Sequence, residues 1–243
     1  MNMQTPVDTT VINGVTYNAE AGQRPLQVDG CTTIAGLFKK RCAELGDRTV
    51  HREKDLGIWK AYTWKDYWDH AKWIGMGLRK LGLQRGEVVS ILSEDRKEWA
   101  YFDMGIQSVG GIASGVYTTD SGSQLNYIVN DSDSRFLVVE NEEQLDKFLT
   151  HEDDMPGLIK VIILEDEGLH DLNHPRCILI SELYEIGKAV DAAEPDLFES
   201  EIDKAKAQDT ALLIYTSGTT GMPKGAMLGN ENIMAAVEAG ARR

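Results

Sequence analysis

Apolar positions along this chain follow two alternating rhythms. Short continuous runs at Val88–Leu92, Ile112–Tyr117, Arg135–Glu140, Lys160–Leu164, Cys177–Ile180 and Ala211–Tyr215 read as strands. Runs without polar alternation belong to strands covered on both faces, as in a parallel sheet. Between them, apolar residues recur at the spacing of an amphipathic helix. After Thr63, the residues Tyr67, Ala71, Ile74, Leu78 and Leu81 share one face, and Gly82 is the expected stop. Asp95 is the expected N-cap of the next helix, with Glu98 three residues on. Trp99, Phe102, Ile106 and Val109 form its buried stripe, and Gly110-Gly111 ends it. Ser121 and Gln124 make a capping box ahead of Leu125, Ile128 and Val129. Ser181 is expected to cap a helix running to about Val190. Asn230 is expected to cap the last helix, with Ile233, Met234 and Val237 inward. The alternation predicts an α/β fold, a largely parallel sheet with flanking helices joined by right-handed crossovers. Strand order does not follow from the pattern.

Two segments stand outside these rhythms. The polar stretch 1–30 reads as an N-terminal tail or a strap over the domain formed by residues 31–243. Asp191–Gln208 reads as an acidic, helix-prone connector. Trp64, Trp68, Trp73 and Trp99 fall inside helical patterns, so core packing is their expected role. Glu142, Glu143 and Asp146, and the run Glu152-Asp153-Asp154, read as a solvated helix face and loop rather than paired catalytic carboxylates.

Composition narrows the classes. The 243 residues are 42% apolar and 26% charged, enough for a substantial buried core. A net charge of −14 with no Lys- or Arg-rich run argues against a nucleic-acid partner. It also means that an anionic ligand must be held by local donors against an unfavourable overall field. Cys31, Cys42 and Cys177 are dispersed, odd in number and lack a C-x-x-C pair, so neither a disulfide framework nor a zinc site is expected, and a reducing cytoplasm fits. His170 and His174 have helical spacing, but Asn173 and Pro175 make that stretch a loop, and no metal site is expected. The first thirty residues lack the apolar segment of a signal peptide. No apolar run approaches the roughly 20 residues of a membrane span. The expected location is cytoplasmic, with contact at a membrane surface left open.

One segment carries the chemistry. Tyr215-Thr216-Ser217-Gly218-Thr219-Thr220-Gly221-Met222-Pro223-Lys224-Gly225 directly follows the apolar run Ala211-Leu212-Leu213-Ile214. A strand ending in such a loop gathers backbone N–H groups, hydroxyls and a cation in one small volume, as a polyphosphate requires. Gly218, Gly221 and Gly225 allow positive φ and close approach of the backbone to a ligand. Thr216, Ser217, Thr219 and Thr220 donate hydrogen bonds without adding charge. Pro223 stiffens the turn, and Lys224 is a compact cation suited to a phosphate oxygen. The order differs from a Walker A loop, which needs Gly-Lys-Ser/Thr, and the Gly-x-Gly-x-x-Gly dinucleotide fingerprint is absent.

Ser217–Gly225 resembles the phosphate-binding signature of the adenylate-forming enzymes: acyl-CoA synthetases, peptide-synthetase adenylation domains and firefly-type luciferases. Leu81–Trp99 is similar to the early strand and helix of that fold. Gly115–Ser121 with Tyr127–Ser132 resembles the long-chain fatty acyl-CoA synthetase branch. The similarity extends over about residues 32 to 235. It implies an acyl-CoA synthetase-like large domain whose phosphate loop is 215–225, with the C-terminal domain lying beyond this chain.

The implied reaction is ATP-dependent activation of a fatty acid to acyl-adenylate and then to acyl-CoA. The implied cofactors are ATP, Mg2+ and coenzyme A. The implied partners are small molecules, with peripheral membrane contact open and oligomeric state undetermined. Thr216, Ser217, Gly218, Thr219, Thr220 and Gly221 are the implied donors to the nucleotide, and Lys224 is the charge partner. Lys224 and Thr219 are the implied catalytic residues. The chain departs from the family at Gly229-Asn230, where Ser/Thr-His is common. The adenine, acyl and ribose motifs and the catalytic lysine of the family lie downstream of the signature, so this chain is expected to be an N-terminal portion, inactive alone. Two other readings remain: an adenylating enzyme that loads a carrier protein, and a non-catalytic nucleotide-binding or assembly module.

Overall fold

Val88–Leu92 has no exposed residue, so it can sit only inside a sheet covered on both sides, and it forms the central strand of one. The computed structural model describes residues 9–12, 15–18, 25–216 and 222–241. In chain order the elements are β1 (Thr9–Ile12), β2 (Val15–Asn18), β3 (Pro25–Val28), α1 (Ile34–Leu45), β4 (Thr49–Asp55), β5 (Ile58–Thr63), α2 (Trp64–Lys80), β6 (Val88–Leu92), α3 (Lys97–Ser108), β7 (Ile112–Val116), α4 (Gly122–Asp131), β8 (Ser134–Val139), α5 (Glu142–Thr150), β9 (Lys160–Ile163), β10 (Cys177–Leu179), α6 (Ile180–Ala193), α7 (Leu197–Ile202), β11 (Thr210–Thr216), β12 (Lys224–Gly229) and α8 (Asn230–Ala241). The main sheet has seven strands in the order β10-β9-β8-β6-β7-β11-β12. All its pairings are parallel except β11–β12. The expected α/β class and largely parallel sheet are therefore present.

The two faces of the sheet bury separate cores. On one, Val89 and Ile91 of β6 meet Phe38 of α1, Ile74 and Leu78 of α2, Phe102 and Ile106 of α3 and Leu183 of α6. On the other, Val88 and Leu92 meet Leu125 and Ile128 of α4 and Leu145 and Phe148 of α5. Helix α2 lies close to α3 and α6 because glycines stand at the crossings. A Cβ on Gly105 would come within 2.6 Å of the Ala71 carbonyl, and one on Gly187 within 1.9 Å of the Trp73 carbonyl. Outside this body, residues of the segment read as a tail or strap form the antiparallel meander β1-β2-β3. Val28 at its end is buried against Met234 of α8. β4 and β5 form a hairpin.

Some helix signals are realised as read. Ser121 and Gln124 cap α4 in a reciprocal box. Thr63 and Asp66, not singled out as a cap by the pattern, do the same for α2 (Asp66 N–H to Thr63 Oγ1, 3.1 Å; Thr63 N–H to Asp66 Oδ2, 2.7 Å). Gly82 follows α2 with φ 117°.

Others are corrected. Asp95 does not cap α3: Arg96 occupies the cap position without a side-chain cap bond. Arg96 is instead held by Glu98 (2.8 Å) and Glu165 (2.7 Å). Ser181 lies inside α6, where Leu179 precedes the helix and gives its N–H to Glu182 Oε1 (3.2 Å). Asn230 begins α8, and its side chain bonds away from that helix. Val237 is 43% exposed, whereas Met234 is buried with Val28 of β3 and against Ile34 and Leu37 of α1. The packing role expected of Trp64, Trp68 and Trp99 holds: each is half-buried and packs against the first core.

Candidate functional site

Alternation along β11 decides what reaches the ligand side. Leu213 and Tyr215 point into the core beneath α4 and α5. Leu212, Ile214 and Thr216 therefore stand on the opposite face. There, at the carboxyl ends of β6, β7 and β11, a cleft of about 510 Å³ opens, lined by Glu94, Trp99, Gly115, Tyr117, Thr118 and Ile214 among others. Open α/β sheets bind ligands outside the carboxyl ends of their strands.

Strand β12 pairs antiparallel with β11 in the register Thr216↔Lys224, Tyr215↔Gly225 and Ile214↔Ala226. Directly opposed residues of an antiparallel pair project to the same face. Lys224 therefore shares the face of Thr216 and Ile214, of which Ile214 lines the cleft, and both Thr216 and Lys224 are exposed. Among the described residues, Lys224 forms no ion pair. The segment 217–223 joins the two paired ends. Five candidate donors in it, Ser217, Gly218, Thr219, Thr220 and Gly221, lie outside the described residues.

The base of this hairpin is fastened by groups that sequence reasoning missed. The Tyr215 hydroxyl donates to Asp131 Oδ2 (2.7 Å) at the end of α4. Burial, then the hydrogen bond to that carboxylate, pushes the Tyr215 phenol well above its usual value. The Tyr127 hydroxyl donates to the carbonyl of Pro223 (3.0 Å). These partners are separated by 84 and 96 positions in sequence, and no local signal announces them. Gly225 serves differently from expectation. It lies in an extended strand rather than at positive φ. A Cβ there would meet the Tyr215 ring at 3.1 Å, so the missing side chain makes room for that ring.

Beyond the hairpin, Asn230 is buried and joins three segments. It accepts from the Ile34 N–H (2.9 Å) and donates to the carbonyls of Lys206 (3.3 Å) and Asp209 (3.2 Å). It thereby ties the start of α1 and the approach to β11 to the start of α8.

Most other charges near the cleft are engaged. Arg96 contacts Glu98, Glu140 and Glu165, and Lys97 contacts Glu53 and Glu98. Burial raises the Glu98 carboxyl, but Lys97 and Arg96 outweigh it and hold that group below the usual range. Lys147 donates to the carbonyls of Thr118 (2.5 Å) and Asp120 (2.8 Å). Among the described residues, no three His, Cys, Asp or Glu side chains are placed to hold a metal ion. No described helix is long and apolar enough to cross a membrane.

The family pattern of AMP-binding enzymes matches residues 38–242. The long-chain-fatty-acid–CoA ligase ACSBG2 of Xenopus laevis is 34% identical over 201 residues, covering 83% of this chain and 26% of its own length. The long-chain-fatty-acid–CoA ligase ACSBG1 of Bos taurus is 33% identical over the same length, with 27% of that protein covered. The chain thus spans about a quarter of the curated relatives it matches. Among solved structures, the luciferase-like enzyme of the mealworm Zophobas morio superposes with a TM-score of 0.70 at 18% identity, over 86% of this chain and 45% of that one. A fatty acyl CoA synthetase of Mycobacterium tuberculosis does so with a TM-score of 0.66 at 18% identity, over 87% and 37%. The match across residues 38–242, most of the chain, places it in the family of AMP-binding enzymes.

Proposed function

We propose that this chain carries the triphosphate-gripping part of an ATP-dependent fatty-acid–CoA ligase. The observation that carries the reading is the β11–β12 register, which sets Thr216 and Lys224 side by side on the cleft face with the glycine- and hydroxyl-rich segment between them. In this reading a fatty-acid carboxylate attacks the α-phosphorus of ATP, and acyl-adenylate and pyrophosphate result. The thiol of coenzyme A then displaces AMP to give the thioester. Negative charge builds on the departing β- and γ-phosphates, and donors fixed before the reaction stabilise it without reorganising. Thr216, Ser217, Gly218, Thr219, Thr220 and Gly221 supply neutral donors, and Lys224 supplies the charge. Magnesium finds no protein ligand set among the described residues, so we assign it no residue here.

Support for the acyl substrate comes from the two ligases named above, whose printed activity concerns long-chain fatty acids. Residues 31–243 are read as part of the large domain, and turnover as a property of a longer protein. The cytoplasm, with contact at a membrane surface, suits that substrate. Equilibrium binding of ATP to the chain tests the grip. Lys224→Ala is expected to weaken it by about tenfold, the equivalent of one charge-assisted contact. Thr219→Ala should weaken it less. Unchanged affinity in both variants would remove this segment from nucleotide binding. ATP–pyrophosphate exchange driven by a fatty acid, in a full-length protein carrying this chain, tests the reaction itself.

A further inference from the structure

At the far edge of the sheet from β12, a cysteine, a histidine and a glutamate form a hydrogen-bonded line beside a separate cleft. The Cys177 sulfur lies 3.4 Å from His174 Nδ1. On the other side of the ring, His174 Nε2 lies 2.7 Å from Glu152 Oε2. The N–H of Arg176 donates to the same Nδ1 (3.2 Å). That bond fixes the tautomer: Nδ1 is the lone-pair nitrogen, and Nε2 carries the proton given to Glu152. The ring is further held edge-on to Phe148, with centroids 5.9 Å apart. The local fold explains the meeting. His174 and Cys177 lie on either side of the turn that enters β10, whereas Glu152 comes from the short turn after α5.

Cys177 and His174 both line a cleft of about 430 Å³, with Asp166, His170 and Glu182 on its wall. Cys177 is half-buried, and all three cysteines are free thiols. Burial and then the Glu152 carboxylate push the Cys177 thiol up to about 11, against the opposing pull of Arg176 and Lys160. A thiol in that state holds its proton at rest and reacts readily only when a base removes the proton during attack. His174 Nδ1 is within reach as that base when its lone pair passes from the Arg176 N–H to the Cys177 proton, and Glu152 steadies the imidazolium that forms.

We propose that Cys177 is a base-assisted reactive thiol, with His174 as its proton acceptor and Glu152 as the positioning residue, and that its cleft takes small disulfides bearing a cationic amine. The ligand class follows from the wall: Asp166 and Glu182 contribute carboxylates, and no lysine or arginine is among the lining residues. The step balances. The Cys177 sulfur attacks one sulfur of the disulfide while its proton passes to His174 Nδ1. A bond from Cys177 to that sulfur forms and the original S–S bond breaks. The leaving thiolate takes the proton from His174 and departs as a free thiol. The protein thiol is oxidised to a mixed disulfide and the departing half of the reagent is reduced.

The test uses the 243-residue chain with cystamine, read by mass spectrometry of the labelled peptide. Label is expected at Cys177 ahead of Cys31 and Cys42, and to vanish from that peptide in Cys177→Ser. His174→Gln keeps an acceptor for the Arg176 N–H but supplies no base, and should slow labelling by roughly tenfold or more with an unchanged melting temperature. Glu152→Gln should slow it by a smaller factor. The wild-type rate should rise less steeply with pH than that of His174→Gln, whose unassisted thiol climbs about tenfold per pH unit toward its own pKa. Cystamine should outpace an anionic disulfide such as 5,5′-dithiobis(2-nitrobenzoate). Labelling of Cys31 first, wild-type rates in His174→Gln, or equal pH slopes in the two proteins would each overturn the base-assisted thiol. A faster anionic reagent would overturn the ligand class.

Discussion

Replacing Asn230 by alanine tests whether the loop-bearing edge is held as described. The side chain is 6% exposed and makes three hydrogen bonds. They are not equal. The Lys206 carbonyl also accepts from the Asp209 N–H (3.1 Å), and the Asp209 carbonyl from the Asn230 N–H (3.1 Å), so both keep a partner in the variant. The Ile34 N–H loses its acceptor. It is one of the first-turn donors of α1 that has no partner within the helix. Orphaning a buried donor costs about 1–3 kcal/mol, and each of the two longer bonds adds about 0.5 kcal/mol. The expected loss is therefore about 2–4 kcal/mol. In a domain of this size that lowers the melting temperature by roughly 4–16 °C. Urea unfolding should show a lower midpoint at unchanged slope, and amide exchange should accelerate at Ile34. Asn230→Asp separates acceptor from donor. It restores the bond to Ile34 but turns an anionic oxygen toward two carbonyls, so it should be unstable at pH 7 and partly recover near pH 4. A loss below about 0.5 kcal/mol in Asn230→Ala, with Ile34 exchange unchanged, would refute the reasoning.

Gly187→Ala gains about 1 kcal/mol of helix propensity but sets a Cβ 1.9 Å from the Trp73 carbonyl, a backbone atom that cannot turn aside. Separation of α6 from α2 should outweigh the gain by about 2–3 kcal/mol in chemical denaturation; a stabilised variant would contradict the crossing. The Asp103 carboxyl is raised by burial to about 6, with the Gln107 amide pulling the other way. Its folded value exceeds its unfolded one, so folding loses stability as pH rises from about 4 to 6 and stays lower above that. Asp103→Asn should therefore add about 1–2 kcal/mol at pH 7.5, after discounting for the residue's partial exposure, and nothing at pH 3.5. Glu201, 3% exposed, is shared by Arg79 (3.3 Å), Arg85 (3.2 Å) and Lys204 (2.7 Å). Burial raises its carboxyl, but the hydrogen bond from Lys204 and the arginines outweigh it and hold it below the usual range. Glu201→Gln should cost about 1–3 kcal/mol at neutral pH, with the difference from wild type shrinking as acid protonates the native carboxylate.

The central parallel strands β6 and β8 were legible because they are buried on both faces and show no alternation. The helix start at Ser121 was legible because a capping box is a local, reciprocal device. Cap signals failed where a distant partner competed. Arg96 is held by Glu165 from another connection, and Asn230 by Ile34 from α1, 196 positions away. The β4–β5 hairpin was missed because its strands are largely exposed and mix charges with apolar residues, Leu56, Ile58 and Trp59 being 96%, 69% and 66% exposed. β12 was missed because Pro223 and Gly225 read as loop, and its strand character is supplied by the neighbouring β11.

The candidate site shows the same division between local and distant information. The residue types of 216–225 announce phosphate chemistry by themselves, but the face on which Lys224 stands depends on register, and register depends on β11 finding β7 and β12. That placement matters because the protein carries a net charge of −14 and its cleft is lined by Glu94 and Asp95. The field at long range repels a triphosphate, and Arg96, Lys97 and Lys147 are already committed to protein acceptors. If the segment grips a triphosphate as proposed, recognition is short-range. Uncharged donors add no repulsion and need only contact, and a lysine with no described ion pair would give up no carboxylate partner on turning to a phosphate. In that reading an acidic chain selects ligands able to engage its donors together, a task for which hydroxyls and backbone amides beside one lysine are better suited than a cluster of basic residues.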